Sequence, residues 1–337
     1  MVVNNASHAA RPSAKQGLTS RRWWPWVKRA VKIAFFGVVA YLLVTQARSV
    51  EWDEVVAAIG RRSAQGLWLA AGLAAASHAL YSCFDLLGRH VTGHPLKTRQ
   101  VMTVTFISYT FNLNMGSLIG GVAFRYRLYS RLGLDADVIT RVLGMSMLTN
   151  WLGYLLLAGL VFWWWPIAPP PDWKLDTTGL RVLGIGLFAT AIAYMLLCAF
   201  SGRRTWTIRG HEITLPSTKL ALVQLAMSTV NWMLIGGIVY MLLEQKIAYP
   251  TVLGVLLVAA IAGVITHVPA GLGVIETVFV TLLSHEMPRH ELLAALLAYR
   301  ALYYLIPLAV ATLLYFIVEA RAKRAGATSD TPGTKGK

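Results

Sequence analysis

Charge is scarce. Asp, Glu, Lys and Arg make up 14% of the 337 residues, where a soluble globular domain carries about a quarter. A water-soluble fold of this length is thereby excluded, because too few side chains are available to clothe its surface. Acid is scarcer still, with 15 Asp and Glu against 31 Lys and Arg. Cysteine is nearly missing: Cys83 and Cys198 both fall inside apolar runs, which excludes a disulfide framework or a Cys-rich metal site. No P-loop, HExxH, GxSxG or CxxC pair occurs. The expectation is a protein that is not an enzyme and needs neither cofactor nor metal. The first thirty residues are polar and basic and lack a short apolar core with an A-x-A site, so no cleavable signal peptide is expected.

What the chain has instead is apolar sequence, 56% of all residues, in runs of the roughly 20 residues that cross a bilayer as a helix. Backbone groups in lipid must bond to one another, so these runs are expected to be helical. The net charge of +16 raises nucleic acid as a partner, but the Lys and Arg sit in short segments between apolar runs, as the positive-inside rule requires. Topology accounts for them and nucleic acid is not expected. Basic segments near spans also attract anionic lipid headgroups.

Residues 1–29 read as a basic cytoplasmic and interfacial N-terminus, with Trp23, Trp24 and Trp26 among Arg21, Arg22, Lys28 and Arg29. A single transmembrane domain is expected over 30–320 and a basic cytoplasmic tail over 321–337. Spans are predicted at 30–46, 67–88, 142–165, 180–200, 219–243 and 292–318. Between the first two, Trp52, Val55, Val56 and Ile59 repeat at helical spacing and predict a short amphipathic helix on the membrane surface. Alternation around Arg209-Gly210 predicts a small β-hairpin over 203–215.

Two apolar segments are broken. The first, 101–119, is interrupted by Asn112, Asn114 and Gly116, runs into Gly120 and Gly121, and is followed closely by Arg125, Arg127 and Arg131. A full crossing would place those arginines outside, so a re-entrant hairpin is predicted, its reversal permitted by glycine. The second, 251–285, is broken at His267-Val-Pro-Ala-Gly-Leu-Gly273 and carries Glu276 just beyond. The order span, broken hairpin, span then occurs twice, over 67–165 and 219–318. Three crossings separate the two starts, so the second half is inverted and the hairpin tips meet near the midplane, as in inverted-repeat transporters. Both termini are expected in the cytoplasm.

An ionisable residue at mid-depth costs roughly 2.5–3.5 kcal/mol and usually faces a cavity or a partner. Four such residues are the candidate substrate-binding group. Arg125 and Arg300 could hold phosphate or carboxylate with a guanidinium fork. Glu276 could bind a headgroup amine, move a proton, or pair with Arg300. Asp85 stands four residues before Arg89 and reads equally as an interfacial i, i+4 pair. Arg127, His267, Gly120, Gly121, Gly271 and Gly273 are secondary candidates. Asn112 and Asn114 read as partners for backbone freed at the break, His78 as a satisfied core histidine. Asn150 and Asn231 are candidates for interhelical hydrogen bonds, and Trp163 to Trp165 form an interfacial belt.

Several stretches carry a family likeness: FISYTFNLN at 106–114, GGVAFRYRLYSRLGL at 120–134, TNWLGY at 149–154, HVPAGLGVIE at 267–276 and AYRALYY at 298–304. With these, nearly the whole chain resembles the lysylphosphatidylglycerol synthetase transmembrane-region family, most of all its stand-alone, YbhN-like inner-membrane branch. The resemblance implies a bacterial inner-membrane protein. In that family the membrane domain of the multiple peptide resistance factor flips an aminoacylated phospholipid, which would give functional roles to Asp85, Arg125, Glu276 and Arg300. The synthetases add a soluble aminoacyltransferase domain, whereas this sequence ends some twenty residues after its last predicted span, so aminoacylation is not implied. The expectation is a phospholipid translocase or lipid-binding transporter, with membrane phospholipids as partners. The alternatives are a transporter of a polyprenyl-phosphate carrier or small anion, and a non-transporting partner of a lipid-synthesis enzyme.

Overall fold

The computed structural model describes residues 52–60, 62–165, 167, 176–202, 205–208, 211–266, 268 and 271–329, with Trp26, Gly37, Tyr41, Val44 and Arg48; for 205–208, 211–214 and 322–329 it describes the backbone. The chain divides into two compact units, Met1–Val50 and Glu51–Lys337. Apart from those five positions, which are helical, the expected span at 30–46 and the segment before it lie outside the described residues. Every helix and strand from Trp52 onward belongs to the second unit.

Among its described residues that unit is built of helices and one pair of strands. In chain order the helices are α1 (Trp52–Gly60), α2 (Ala64–Ser82), α3 (Phe84–Thr92), α4 (Thr98–Met115), a π-helical turn Ser117–Ala123, α5 (Phe124–Arg131), α6 (Ala136–Trp164) and α7 (Thr177–Phe200). After β1 (Thr205–Ile208) and β2 (His211–Thr214) come α8 (Thr218–Leu242), α9 (Tyr249–Thr266), α10 (Val274–Leu283) and α11 (Arg289–Arg300), then a π turn Ala301–Leu305 and α12 (Ile306–Ser329). Six stretches are long and apolar enough to cross a membrane: Ala64–Thr92, Ala136–Trp164, Thr177–Phe200, Thr218–Leu242, Tyr249–Thr266 and Arg289–Arg321. The chain is an all-α polytopic membrane protein. The strands pair antiparallel with Ile208 opposite His211, so the predicted β-hairpin is present.

Helix directions follow from who touches whom. Helices α2 and α8 run antiparallel: Gly66 lies near Met241, Leu73 near Gly237, and Ser77 Oγ donates to Asn231 Oδ1 at 2.8 Å. Helices α6 and α7 are antiparallel too. A Cβ on Gly159 would stand 2.6 Å from the Phe188 nitrogen, and one on Gly184 2.8 Å from that of Trp163. Small residues let these backbones approach closely, the packing mode that serves helices in lipid. Helix α8 lies parallel to α6, with Gln224 bonded to Thr149 and the Trp232 ring against Tyr154. The interhelical bonds expected at the two asparagines exist. At Asn150, however, the backbone carbonyl does the work, accepting from Ser228 Oγ and Trp232 Nε1.

With α2 and α6 opposed, the segment from α4 to α5 must leave and rejoin the bundle at one end, the lower one. Likewise α9 and α10 leave and rejoin at the upper end, where Lys246 meets Glu291 across the start of α11. The two broken segments are therefore helical hairpins entering from opposite ends, each between a preceding and a following span. Their arms differ from the prediction in one respect: α9 is by itself long and apolar enough to cross a membrane.

The first reversal depends on backbone contact. Gly116 has φ 84°, a left-handed conformation that favours glycine. At Gly120 a Cβ would lie 2.1 Å from the backbone of Phe111 and Asn112, so the two arms touch there and no other residue fits. Two details correct the sequence reading. Helix α6 begins at Ala136, a turn and a half before the predicted span, because its first turns pack beside α3 with Gly88 against Val142. In α1, Val55 and Ala58 are buried while Trp52 and Val56 are exposed. The face turned to the bundle is therefore not the four-residue stripe read from the spacing.

Candidate functional site

The tips of the two hairpins meet at one cavity of about 540 Å³, within the range of about 300–1,000 Å³ usual for small-molecule sites. The first hairpin contributes Asn112 and Gly116 to Ile119; the second contributes Gly263, Val264, Val268 and Gly271. The side walls are aromatic: Tyr81, Tyr109, Trp151, Tyr154, Trp232 and the trio Tyr299, Tyr303 and Tyr304. At the rim Leu118 is 77% and Val264 51% exposed.

A chain of hydrogen bonds leads inward from the wall. Tyr109 and Tyr303 share a hydroxyl–hydroxyl bond of 2.7 Å. Tyr303 also bonds Ser77 at 3.0 Å, and Ser77 donates to Asn231. His78 Nε2 bonds the Tyr303 carbonyl at 3.1 Å, with its ring among Phe106, Tyr109 and Tyr303, as a core histidine. The cavity can thus offer hydroxyls, amides and π faces to a polar group, and among the described residues no charged side chain lines it.

The four ionisable candidates come together in two pairs, not as one cluster. Arg125 holds Asp85 with both arms of its fork, Nε to Oδ2 at 2.9 Å and Nη2 to Oδ1 at 3.2 Å. Its Nη1 donates to the Gly121 carbonyl, and Tyr129 adds its hydroxyl to Asp85. The side chains are 3% and 0% exposed. This overturns the i, i+4 reading of Asp85. Arg89 instead donates to Thr98 Oγ1, and α3 turns Asp85 inward, toward α5. Arg300 makes the equivalent fork on Glu276, with Nη2 to Oε2 at 2.9 Å, and donates to the Gly271 carbonyl at 2.9 Å. This second pair is more open, 9% and 18% exposed. It sits directly behind the cavity wall, since Gly271 and Tyr304 line the hollow and the guanidinium stands 5.8 Å from the Tyr304 ring centroid.

Each hairpin is therefore held by an arginine that grips one carboxylate and one glycine carbonyl at the break. Two guanidiniums free for an anion, the arrangement expected from sequence, is not what the fold contains.

The secondary candidates divide. Gly116, Gly120 and Gly271 form the breaks, and Gly273, at φ 76°, precedes α10. The Asn112 amide faces Gly121, near where a Cβ would stand. Asn114 Nδ2 donates to the Thr110 carbonyl at 2.9 Å and reaches that of Tyr304 at 3.4 Å, thereby serving the last span and not the break. Arg127 lies away from the cavity, bonded to the Tyr315 hydroxyl and paired with Glu319, which Arg131 also holds. His267 lies outside the described residues. Sequence reasoning missed the aromatic wall. The available signal was tyrosine placed within spans, for instance at 299, 303 and 304, where its hydroxyl needs a buried partner.

Comparison with known proteins agrees with this architecture. Residues 29–311 match the family described as Lysylphosphatidylglycerol synthase TM region. The chain is 47% identical over 308 residues to the inner membrane protein YbhN of Escherichia coli K12, covering 91% of this chain and 97% of that protein. It is 31% identical to the uncharacterized protein slr0712 of Synechocystis, over 78% and 82% of the two chains. A more distant relative is the phosphatidylglycerol lysyltransferase of Staphylococcus haemolyticus, 26% identical over 77% of this chain but only 30% of that protein. With six apolar helices and an inner-membrane relative along almost its full length, this is a multi-pass inner-membrane protein, and it belongs to the lysylphosphatidylglycerol synthase transmembrane-region family.

Proposed function

We propose that the protein moves a phospholipid between the leaflets of the inner membrane and performs no chemistry on it. The observation that carries this reading is the cavity itself. It lies between two hairpins that enter from opposite ends, walled by hydroxyls, amides and aromatic rings, with an apolar rim at Leu118 and Val264. A polar headgroup fits the wall while its acyl chains stay in the bilayer at the rim. A small soluble ion would have no use for that rim. The distant relatives are named phosphatidylglycerol lysyltransferases, and that lipid class is carried over here. Both hairpins re-enter the membrane in this reading, both termini are cytoplasmic, and access alternates as one half rocks against the other. Glu276 and Arg300 are the working pair. A lipid phosphate competing for the Arg300 fork loosens Arg300 from the Gly271 carbonyl and frees the second tip, whereas Asp85 and Arg125 keep the first tip in place.

Reconstitution tests this with phosphatidylglycerol carrying a headgroup label that an external reagent destroys. Wild-type proteoliposomes should expose the inner-leaflet pool, and Arg300→Ala should slow this at least about tenfold, the worth of one charge-assisted bidentate contact. Label protection equal to that of protein-free vesicles would overturn the reading.

A further inference from the structure

A second hollow of about 540 Å³ opens on the outer wall of the first hairpin. It shares no lining residue with the central cavity. Its floor is apolar, made by Ala79 of α2, Met102 and Phe106 of α4, and Leu314 of α12. Its lower end is different, closed by Thr98 and Arg99. Lys97 precedes them, and Arg89 reaches over from α3 to donate to Thr98 Oγ1 at 2.9 Å. Lys97 and Arg99 are exposed, and among the described residues neither they nor Arg89 form an ion pair. No Asp or Glu occurs anywhere from 86 through 134. The nearest preceding acid, Asp85, is taken by Arg125 and Tyr129. Three uncompensated cations therefore cap an apolar trench at the edge of the spans.

We infer that this groove holds an anionic phospholipid, its phosphate at Arg89, Lys97 and Arg99 and one acyl chain along Ala79, Met102, Phe106 and Leu314. Charge decides the occupant. A zwitterionic lipid brings a cation of its own to the same place. A soluble phosphate leaves the trench unfilled, and a partner helix would have to bury three like charges. Basic pockets between spans are where anionic headgroups bind. The site is separate from the translocation cavity and does not depend on it.

The test is lipid retention by the purified full-length protein, followed by native mass spectrometry and by thermal shift with phosphatidylglycerol, phosphatidylcholine or glycerol phosphate added. Wild type should keep one phosphatidylglycerol per chain in preference to phosphatidylcholine. Lys97→Gln with Arg99→Gln should erase the preference, about fivefold for each cation removed. Ala79→Phe alters an exposed position and keeps every charge. It should expel the acyl chain and weaken lipid binding; Met102→Trp gives a second filling of the trench should Ala79→Phe fold poorly. Retention unchanged in both the charge and the trench variants would overturn the proposal, and so would glycerol phosphate stabilising the protein as well as the lipid does. Arg300→Ala should leave this lipid bound, so loss of transport and loss of the site read out separately.

Discussion

The two broken hairpins are built from the same parts and held to different degrees. In the first, the arms touch backbone to backbone at Gly120, Phe111 stacks on Phe124 with centroids 4.2 Å apart, and the Arg125–Asp85 pair is sealed. Arg127 and Arg131 add a tie from its return arm to Glu319 on the last helix. In the second, the break is opened by two left-handed glycines, Gly271 and Gly273, and Ile265, near the tip, is 70% exposed. The pair that ties its return arm to the last span, Glu276 with Arg300, is part-exposed. The roles of the charges are also exchanged. The first hairpin carries the arginine and its span the acid; the second carries the acid and its span the arginine. The first hairpin's pair is sealed and the second's is part-exposed, so on the proposed reading the first is the fixed part and the second the part that can be released.

The comparison breaks most severely at Asp85. Asp85→Asn leaves the Arg125 charge buried without its counterion, a loss of about 3–5 kcal/mol. It should appear as a large fall in melting temperature in nanodiscs. Glu276→Gln makes the same change in the part-exposed pair and should cost clearly less. Equal losses at the two sites would show that both hairpins are equally fixed.

Next in size is the reversal itself. Gly120→Ala forces a methyl into the Phe111 and Asn112 backbone and should cost at least the roughly 1–3 kcal/mol of an overpacked core. Gly273→Ala, with open space around the position, carries only the strain of positive φ, about 1–2 kcal/mol. Proteolysis rates of the two variants in nanodiscs check the ordering.

Function should divide the opposite way. Arg300→Lys keeps the charge but loses the fork that holds both oxygens of Glu276 and the Gly271 carbonyl. We expect stability within about 1–2 kcal/mol of wild type, with lipid movement reduced about tenfold or more in the reconstituted assay. A variant that is stable and fully active would remove Arg300 from the working pair.

Much of this was legible in the sequence, and the legible part has a physical cause. Apolar runs between basic segments fix spans because lipid penalises every exposed polar group. The glycines at 116, 120, 271 and 273 marked the breaks because few other residues can make those turns. The ionisable residues at depth were visible from their cost alone. Their partners were not, because pairing is set by rotation about each helix axis. Asp85 and Arg89 share α3, yet Asp85 is taken by Arg125 and Arg89 by Thr98, and sequence spacing does not encode which neighbouring helix each meets. The aromatic wall stayed hidden for the same reason: tyrosine in a span reads as bulk until a cavity is seen beside it.

The smallest expected effect lies just outside the spans, in the loop that leads into the first hairpin. His94 is buried against Tyr129, ring centroids 6.3 Å apart, and Tyr129 in turn holds Asp85. Burial, helped by the Arg89 charge, lowers the His94 pKa below its ordinary value, although Asp85 pulls the other way. The folded protein therefore binds this proton less readily than the unfolded chain, whose histidine titrates near about 6.5. Stability from this group is full above that pH and declines as the pH falls below it. A shallow drop in melting temperature between about pH 7 and pH 5 should follow, and His94→Gln should flatten it. Because Tyr129 belongs to the first hairpin, the decline should leave the Glu276–Arg300 side unaltered: the drop should keep its slope in Glu276→Gln. A slope that vanished in that variant would place the pH response in the second hairpin and reverse the assignment of fixed and released parts.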